Sequence, residues 1–205
     1  SDGIEGCEHA FFEILSNSID EAREGYGNVI NVTRFLSKEI EVEDFARGVP
    51  LDFNEGEQRF NWELIYCELY AGGKYKNNKG ENYEFSLGLN GLGACATQYA
   101  SEYMQVTSYR DGFCYRLNFA KGENTTEAPD NLQKTPYSGK RTGTIHRFKP
   151  DIEVFTDIDI PLEYYRETLK KQAVVNAGVK FILKDEISPN RFDTYEYIYP
   201  NGIRD

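Results

Sequence analysis

The 205 residues carry 34 acidic against 23 basic side chains, a net charge of −11, with 40% hydrophobic and 28% charged positions. That balance suits a globular chain long enough to bury a core, and it argues against this chain gripping a nucleic-acid backbone by itself, though not against a neighbouring domain doing so. No apolar run approaches the roughly 20 residues of a membrane helix and no basic-then-apolar signal opens the sequence, so the expectation is a cytoplasmic protein without membrane contact.

The first helix is predicted over Cys7 to Glu24, ended by Gly25 and Gly27. At about 100° per residue, Phe11, Phe12, Leu15, Ile19 and Ala22 gather on one side, while Glu13, Asn17 and Asp20 fall on the other, with Glu21 at its edge. The polar row holds a carboxylate, which can act as a general base, and one turn on an amide, which can ligate Mg²⁺. A solvated helix face would look the same. Val29 to Phe35 and Lys38 to Asp44 alternate as half-buried strands, with Ser37-Lys38 as their turn. Asp44 to Pro50 reads as a strand end running into a loop. A second helix is predicted over Phe60 to Tyr70, where Trp62, Ile65, Tyr66 and Leu69 share a face.

Ala71 to Gly93 is irregular and rich in Gly, Asn and Lys, the pattern of a lid or a disordered loop. Helical pattern resumes over Ala94 to Ala100. Strands follow at Glu102–Arg110 and Phe113–Lys121, joined by the hairpin signal Asp111-Gly112. After a polar, turn-rich stretch from Gly122 to Lys140 come a strand at Thr142–Phe148, a helix over Pro161–Asn176, and strands at Val179–Lys184 and Tyr195–Tyr199. There is no internal repeat, so a single α+β domain is expected: a two-layer sandwich, its mixed, mostly antiparallel sheet carrying the helices on one face. Cys7, Cys67, Cys95 and Cys114 form no Cys-x-x-Cys pair, and with only His9 and His146 available a zinc site is disfavoured against buried free thiols. Ser1-Asp2-Gly3 reads as a trimmed start, which makes the chain a piece of something longer.

Three further motifs are ambiguous alone. Gly88-x-x-Gly91-x-Gly93 before a helix suits an anion or a flexible loop. Asp44 followed by Arg47-Gly48-x-Pro50 suits a site or a plain turn, and Thr142-Gly143-Thr144 suits a site or a strand start. Taken in order, Glu13-x-x-x-Asn17-Ser18-x-Asp20-Glu21-Ala22, Asp44-x-x-Arg47-Gly48-Val49-Pro50, Ala71-Gly72-Gly73-Lys74, Gly88-Leu89-x-Gly91-x-Gly93 and Thr142-Gly143-Thr144 resemble the ATPase domain of bacterial type II topoisomerase B subunits, those of DNA gyrase and topoisomerase IV. The resemblance covers nearly the whole chain. The alternative it leaves is another member of the same superfamily, of chaperone, mismatch-repair or histidine-kinase type.

The resemblance implies a Bergerat-type fold that binds and hydrolyses ATP with Mg²⁺. Glu13 would be the general base and His9 would orient it, although an exposed surface histidine would read the same way. Asn17 would hold Mg²⁺. Asp44 would accept from the adenine amino group, with Thr144 completing that corner through water. Arg47 would pair with Glu21 at the pocket mouth, Gly48, Val49 and Pro50 would wall the ring, and Tyr83 would touch adenine. Lys74 would lie near the nucleotide, and Gly88, Leu89, Asn90, Gly91, Leu92 and Gly93 would cradle the phosphates. The implied partners are ATP or an ATP-competitive inhibitor, and in the full-length enzyme a sister B subunit, an A subunit and DNA. The family's N-terminal arm and transducer domain have no counterpart in these residues, so the piece is expected to be monomeric with low turnover. Phe45 and Ala46 depart from the family's Asp/Asn-Gly, Leu87 from a glycine, and Asn90 from a frequent histidine.

Overall fold

The computed structural model describes residues 3–68, 74–76, 82–84 and 93–200, the two short segments by their backbone alone. In chain order come α1 (Ile4–Arg23), β1 (Val29–Arg34), β2 (Ile40–Asp44), a small hairpin of β3 (Phe53–Asn54) and β4 (Arg59–Phe60), α2 (Asn61–Tyr66), and a second small hairpin of β5 (Lys74–Lys76) and β6 (Asn82–Glu84). Then follow α3 (Gly93–Tyr99), β7 (Ser101–Arg110), β8 (Phe113–Ala120), β9 (Glu123–Asn124), a 3-10 turn at Pro129–Asn131, β10 (Gln133–Pro136), β11 (Gly143–Pro150), α4 (Leu162–Val175), β12 (Lys180–Ser188) and β13 (Arg191–Tyr197).

The main sheet runs β10-β8-β7-β11-β2-β1-β12-β13, with β9 beside β8. Only the β1–β12 pair is parallel, so the sheet is mixed and mostly antiparallel. Alternation explains its two faces. Ile30 and Val32, Ile40 and Val42, Met104 and Val106, Leu117 and Phe119, Phe148, and Phe181 and Leu183 all point to one side and are buried under the helices. Their neighbours carry charge on the other face, where Arg147 pairs with Glu39 at 2.7 Å and Arg141 with Glu43 at 2.6 Å.

Helix α1 is the hub of the helical layer. Phe11, Ile14, Leu15 and Ile19 are buried, and Phe11 meets the buried Tyr165 of α4 edge-on with ring centroids 4.9 Å apart. Thr97 Oγ1 of α3 donates to the carbonyl of Ala10 at 3.0 Å, tying a third helix to the same hub. The helix ends in a Schellman motif: Gly25 N–H donates to Ala22 O and Tyr26 N–H to Glu21 O, each at 3.0 Å, with Gly25 at φ 92°.

The elements differ from expectation where burial gave no pattern. Helix α1 begins three residues before Cys7. The second strand starts at Ile40 and not at Lys38, which sits in the turn at φ 76°. Helix α2 stops at Tyr66, so the expected run to Tyr70 fails at Cys67, and Leu69 and Tyr70 lie outside the described residues. The closing strand begins at Arg191, earlier than Tyr195, because this edge strand is largely exposed and carries no apolar alternation. The same cause hid β10, exposed throughout, within the turn-rich stretch. Among the described residues no helix is long and apolar enough to cross a membrane.

Two positions make the packing testable. Gly143 enters β11 at φ 126°, and a Cβ there would stand 2.2 Å from the carbonyl oxygen of Asp44. Gly143→Ala should destabilise the fold by at least about 2 kcal/mol, since strain and clash combine, read as a drop in the denaturant midpoint. His146 of β11 is buried, with Nε2 2.7 Å from the Tyr66 hydroxyl, and burial pulls its pKa down from 6.5 to about 4. The unfolded chain therefore takes up this proton first. The stability held by a neutral His146 is complete above pH 6.5 and is lost as pH falls toward 4, on the order of 3 kcal/mol in all. Burial also raises the carboxyls of Glu13, Glu41 and Asp44, which acts in the opposite sense. The measurement is accordingly the difference in unfolding free energy between the protein and His146→Gln, followed from pH 7 to pH 4.5. A flat difference would show that His146 is not held neutral.

Candidate functional site

The inner face of the sheet turns polar at the end where β2 finishes and β11 starts. Asp44, Ser108, Thr144 and His146 are all buried there, under the buried Asn17, Ser18 and Glu21 of α1. Glu13, Asn17 and Glu21 are spaced by four residues and so form one row along the helix. This row is not a solvated face. The Glu13 side chain is 16% exposed, and Asn17 and Glu21 are buried.

Glu13 and Asn17 share a second property. Oε2 of Glu13 and both polar atoms of the Asn17 amide are buried and have no hydrogen-bond partner among the described residues. Buried polar atoms are normally satisfied, so a pair of orphans one helical turn apart marks a place for a polar ligand. Burial pushes the Glu13 carboxyl up, and His9, with Nε2 3.3 Å from Oε1, pulls it partly back. The His9 side chain itself is 73% exposed.

Asp44 anchors the opposite wall. Its Oδ1 accepts from the backbone N–H of Ala46 at 3.1 Å and of Thr144 at 3.0 Å, while Oδ2 accepts from Ser18 Oγ at 2.6 Å. Burial raises its pKa, and the Ser18, Ala46 and Thr144 bonds oppose that rise. Thr144 does more than border this corner. Its Oγ1 accepts the N–H of Val49 at 2.9 Å, while Ser108 Oγ donates to the Val49 carbonyl at 2.7 Å, so the 45–50 turn is held at both the N–H and the carbonyl of one residue. Gly48, at φ 85°, fits because a Cβ there would meet the Tyr109 carbonyl at 2.5 Å. Val49 and Pro50 are buried in this turn.

At the mouth, Arg47 grips Glu21 with both ends of its guanidinium, Nε to Oε1 at 3.0 Å and an NH2 to Oε2 at 2.6 Å. The same guanidinium lies over the Tyr26 ring, 4.2 Å from its centroid. The Schellman ending of α1 puts Tyr26 there. A second arginine, Arg141, bonds the Asp44 carbonyl at 2.8 Å and lies between Phe45 and Tyr109, 4.4 and 4.5 Å from their centroids. Asn17, Ser18, Glu21, Asp44, Ala46 and Gly48, with Thr144 and His146, line one pocket.

Of the expected site residues, Asn17, Glu21, Asp44, Gly48 and Thr144 thus line one pocket; Arg47 is bonded to Glu21, and Glu13, with His9 beside it, lies one helical turn from Asn17. Lys74 faces Glu84 and Tyr83 faces Tyr75 across the β5–β6 hairpin, and their side chains lie outside the described residues. Gly88, Leu89, Asn90, Gly91 and Leu92 lie outside them altogether, while Gly93 opens α3 and is buried. Among the described residues no group of three or more His, Cys, Asp and Glu could hold a metal. Sequence reasoning assigned no role to Ser18, Ser108, Arg141, Tyr26, Tyr66 or His146. A period-2 count from Thr144 puts His146 on the same face and would have found it.

No family model matches the chain. It is 34% identical over 188 residues to the DNA gyrase B subunit of Thermotoga maritima, covering 92% of this chain and 28% of that protein. It is 36% identical over 184 residues to the type 2 topoisomerase B subunit of Aquifex aeolicus, 90% of this chain and 22% of that one. It is also 35% identical over 198 residues to the DNA topoisomerase 4 B subunit of Salmonella typhimurium, 96% and 30% respectively. The chain therefore spans less than a third of the length of these relatives. The fold matches the 43K ATPase domain of Thermus thermophilus gyrase B, solved with an aminocoumarin, at a TM-score of 0.79 and 28% identity, over 99% of this chain and 49% of that one. By sequence and by fold together, the chain belongs to the family of ATPase domains of bacterial type II topoisomerase B subunits.

Proposed function

We propose that this chain is a single ATP-binding domain of a longer, cytoplasmic type II topoisomerase, and that nucleotide-driven closure of two such subunits, working with an A subunit, powers DNA strand passage. The observation that carries the reading is the Asp44 carboxylate. It has about four acceptor sites, of which Ala46, Thr144 and Ser18 take three. The remaining one, on Oδ2, suits the exocyclic amino group of adenine. Val49 and Pro50 border the ring, and Arg47, locked to Glu21, closes the mouth.

At the other end of the α1 row, Glu13 removes the proton from the water that attacks the γ-phosphate. Its raised pKa makes it a stronger base than an exposed glutamate. His9 orients it, and the orphaned amide of Asn17 suits an oxygen ligand to Mg²⁺, which neutralises phosphate charge when bound. On the strength of the family match, Lys74 lies near the nucleotide, Tyr83 touches adenine, and the backbone of 88–93 cradles the phosphates. The relatives above are type II topoisomerase subunits, and no observation favours the chaperone, mismatch-repair or kinase alternative.

Asp44→Asn should weaken ATP binding by about 1.5–3 kcal/mol, the worth of a hydrogen bond to a charged group. Calorimetry on the folded variant reads it, and unchanged affinity for both ATP and an adenine-mimicking inhibitor would remove Asp44 from base recognition. Glu13→Ala, placed in the full-length enzyme, should cut kcat by about 10²–10⁴-fold and leave nucleotide affinity nearly intact. Near-normal turnover would mean that another group activates the water. Binding lost along with turnover would make Glu13 structural.

A further inference from the structure

We propose that His146 is a second base-reading residue of this pocket, donating from Nδ1 to a ring nitrogen that flanks the amino-bearing carbon of the purine. The proposal rests on the nucleotide-binding reading above and deepens it.

The strand register puts His146 there. Thr144 N–H bonds the Asp44 carboxylate just beyond the Ile145–Glu43 pair that ends the β2–β11 ladder, and His146, opposite Val42, points to the same face as Thr144 two residues further in. The imidazole lines the pocket together with Asp44, Asn17 and Thr144. The residue is 3% exposed, so the ring is not a surface feature.

Hydrogen bonding assigns the proton. Nε2 lies 2.7 Å from the Tyr66 hydroxyl, and Nδ1 has no hydrogen-bond partner among the described residues. Burial keeps the ring neutral, so one nitrogen donates and the other accepts. A phenol O–H is the more acidic donor of this pair and gives its proton to Nε2, which leaves the ring proton on Nδ1. Tyr66 is thus the positioning residue. It is itself fully buried and tilted against Phe119, 5.7 Å between centroids, so the pair is braced from below.

The ligand chemistry follows from the polarity of the two groups. Asp44 accepts, and His146 next to it donates. Adenine offers an amino donor at C6, with acceptor nitrogens on either side, N1 directly and N7 across C5. Guanine presents an acceptor, O6, to Asp44 and a donor at N1, while its N7 accepts as in adenine. Asp44 therefore selects against guanine in either case, His146 adds a second opposed bond where it reads N1, and an apolar group pushed into the same depth would strand a buried N–H.

The test pairs variants with base analogues, each used as the non-hydrolysable triphosphate and read by calorimetry. His146→Val and Tyr66→Phe are compared with the unaltered protein on adenosine, 1-deazaadenosine, 7-deazaadenosine and purine riboside nucleotides. The unaltered protein should bind one of the two deaza analogues about tenfold more weakly than adenosine, the effect of one hydrogen bond. His146→Val should bind adenosine about as weakly as that analogue and no longer distinguish the two. Tyr66→Phe, which keeps the ring in place but frees its tautomer, should lose part of the discrimination. Equal analogue preference in the protein and in a folded His146→Val would overturn the proposal. Purine riboside nucleotide, lacking only the amino group, reports on Asp44 separately. If it binds like adenosine, or if no adenine nucleotide binds, the nucleotide reading itself has failed. Should His146→Val not fold, Tyr66→Phe with the deaza pair decides alone, and undiminished discrimination there counts against the proposal.

Discussion

The structure depends on keeping one carboxylate, that of Asp44, out of water. An isolated buried charge is costly, and here three donors from three separate segments offset it: a hydroxyl from α1, an N–H from the 45–50 turn and an N–H from β11. Each donor in turn fixes its own element. The Ser18 bond sets the rotation of α1 over the sheet, the Ala46 bond starts the turn, and the Thr144 bond pins the end of the β2–β11 ladder. The side chain of Asp44 is thus the point at which helix, turn and sheet are brought into register, and its backbone carbonyl holds Arg141 as well.

With that point fixed, α1 is placed to serve two kinds of chemistry. Its apolar residues Ile14, Leu15 and Ile19 are buried in the core. A row spaced by four residues carries Glu13, Asn17 and Glu21, the last two lining the pocket, and Ser18, next to that row, reaches the Asp44 carboxylate. A helix rises about 1.5 Å per residue, so Glu13 and Glu21 stand roughly 12 Å apart along its axis. On the proposed reading, rigid spacing of that order separates the base end of the nucleotide site from its phosphate end without any loop having to do so.

Much of this was legible in the residues. The alternation of Val29–Phe35 and of Phe113–Lys121, the helical stripe at Phe11, Leu15 and Ile19, and the Asp111-Gly112 turn all reflect a one-sided core, which writes itself into sequence as periodicity. The short hairpin β3–β4 and the exposed strands β10 and β13 bury too little to leave such a trace. Helix α2 was overextended because Leu69 continues the stripe of Trp62, Ile65 and Tyr66, and no breaker intervenes. Within the site, the row on α1 was visible as chemistry but not as burial. Glutamate and asparagine on a helix face are read as solvated unless something across the fold covers them, and the cover here comes from strands and turns far along the chain.

His146 shows the same blindness in a sharper form. A lone histidine in a strand that otherwise alternates carries no motif, and its partner Tyr66 lies 80 residues earlier on a different element. Yet the local rules are broken there: an inward position of a central strand holds an imidazole where its neighbours Val42, Val106 and Phe148 are apolar. A neutral ring in that place gives up hydration and gains a single hydrogen bond, a poor exchange beside a well-packed valine. Positions that break local rules inside an otherwise consistent core are where function is expected to have overruled stability. Asp44 is one such position at the end of this ladder, and His146, two residues inward on the neighbouring strand, is a second, so the polar end of the sheet is better read as one extended recognition surface than as a single carboxylate with incidental neighbours.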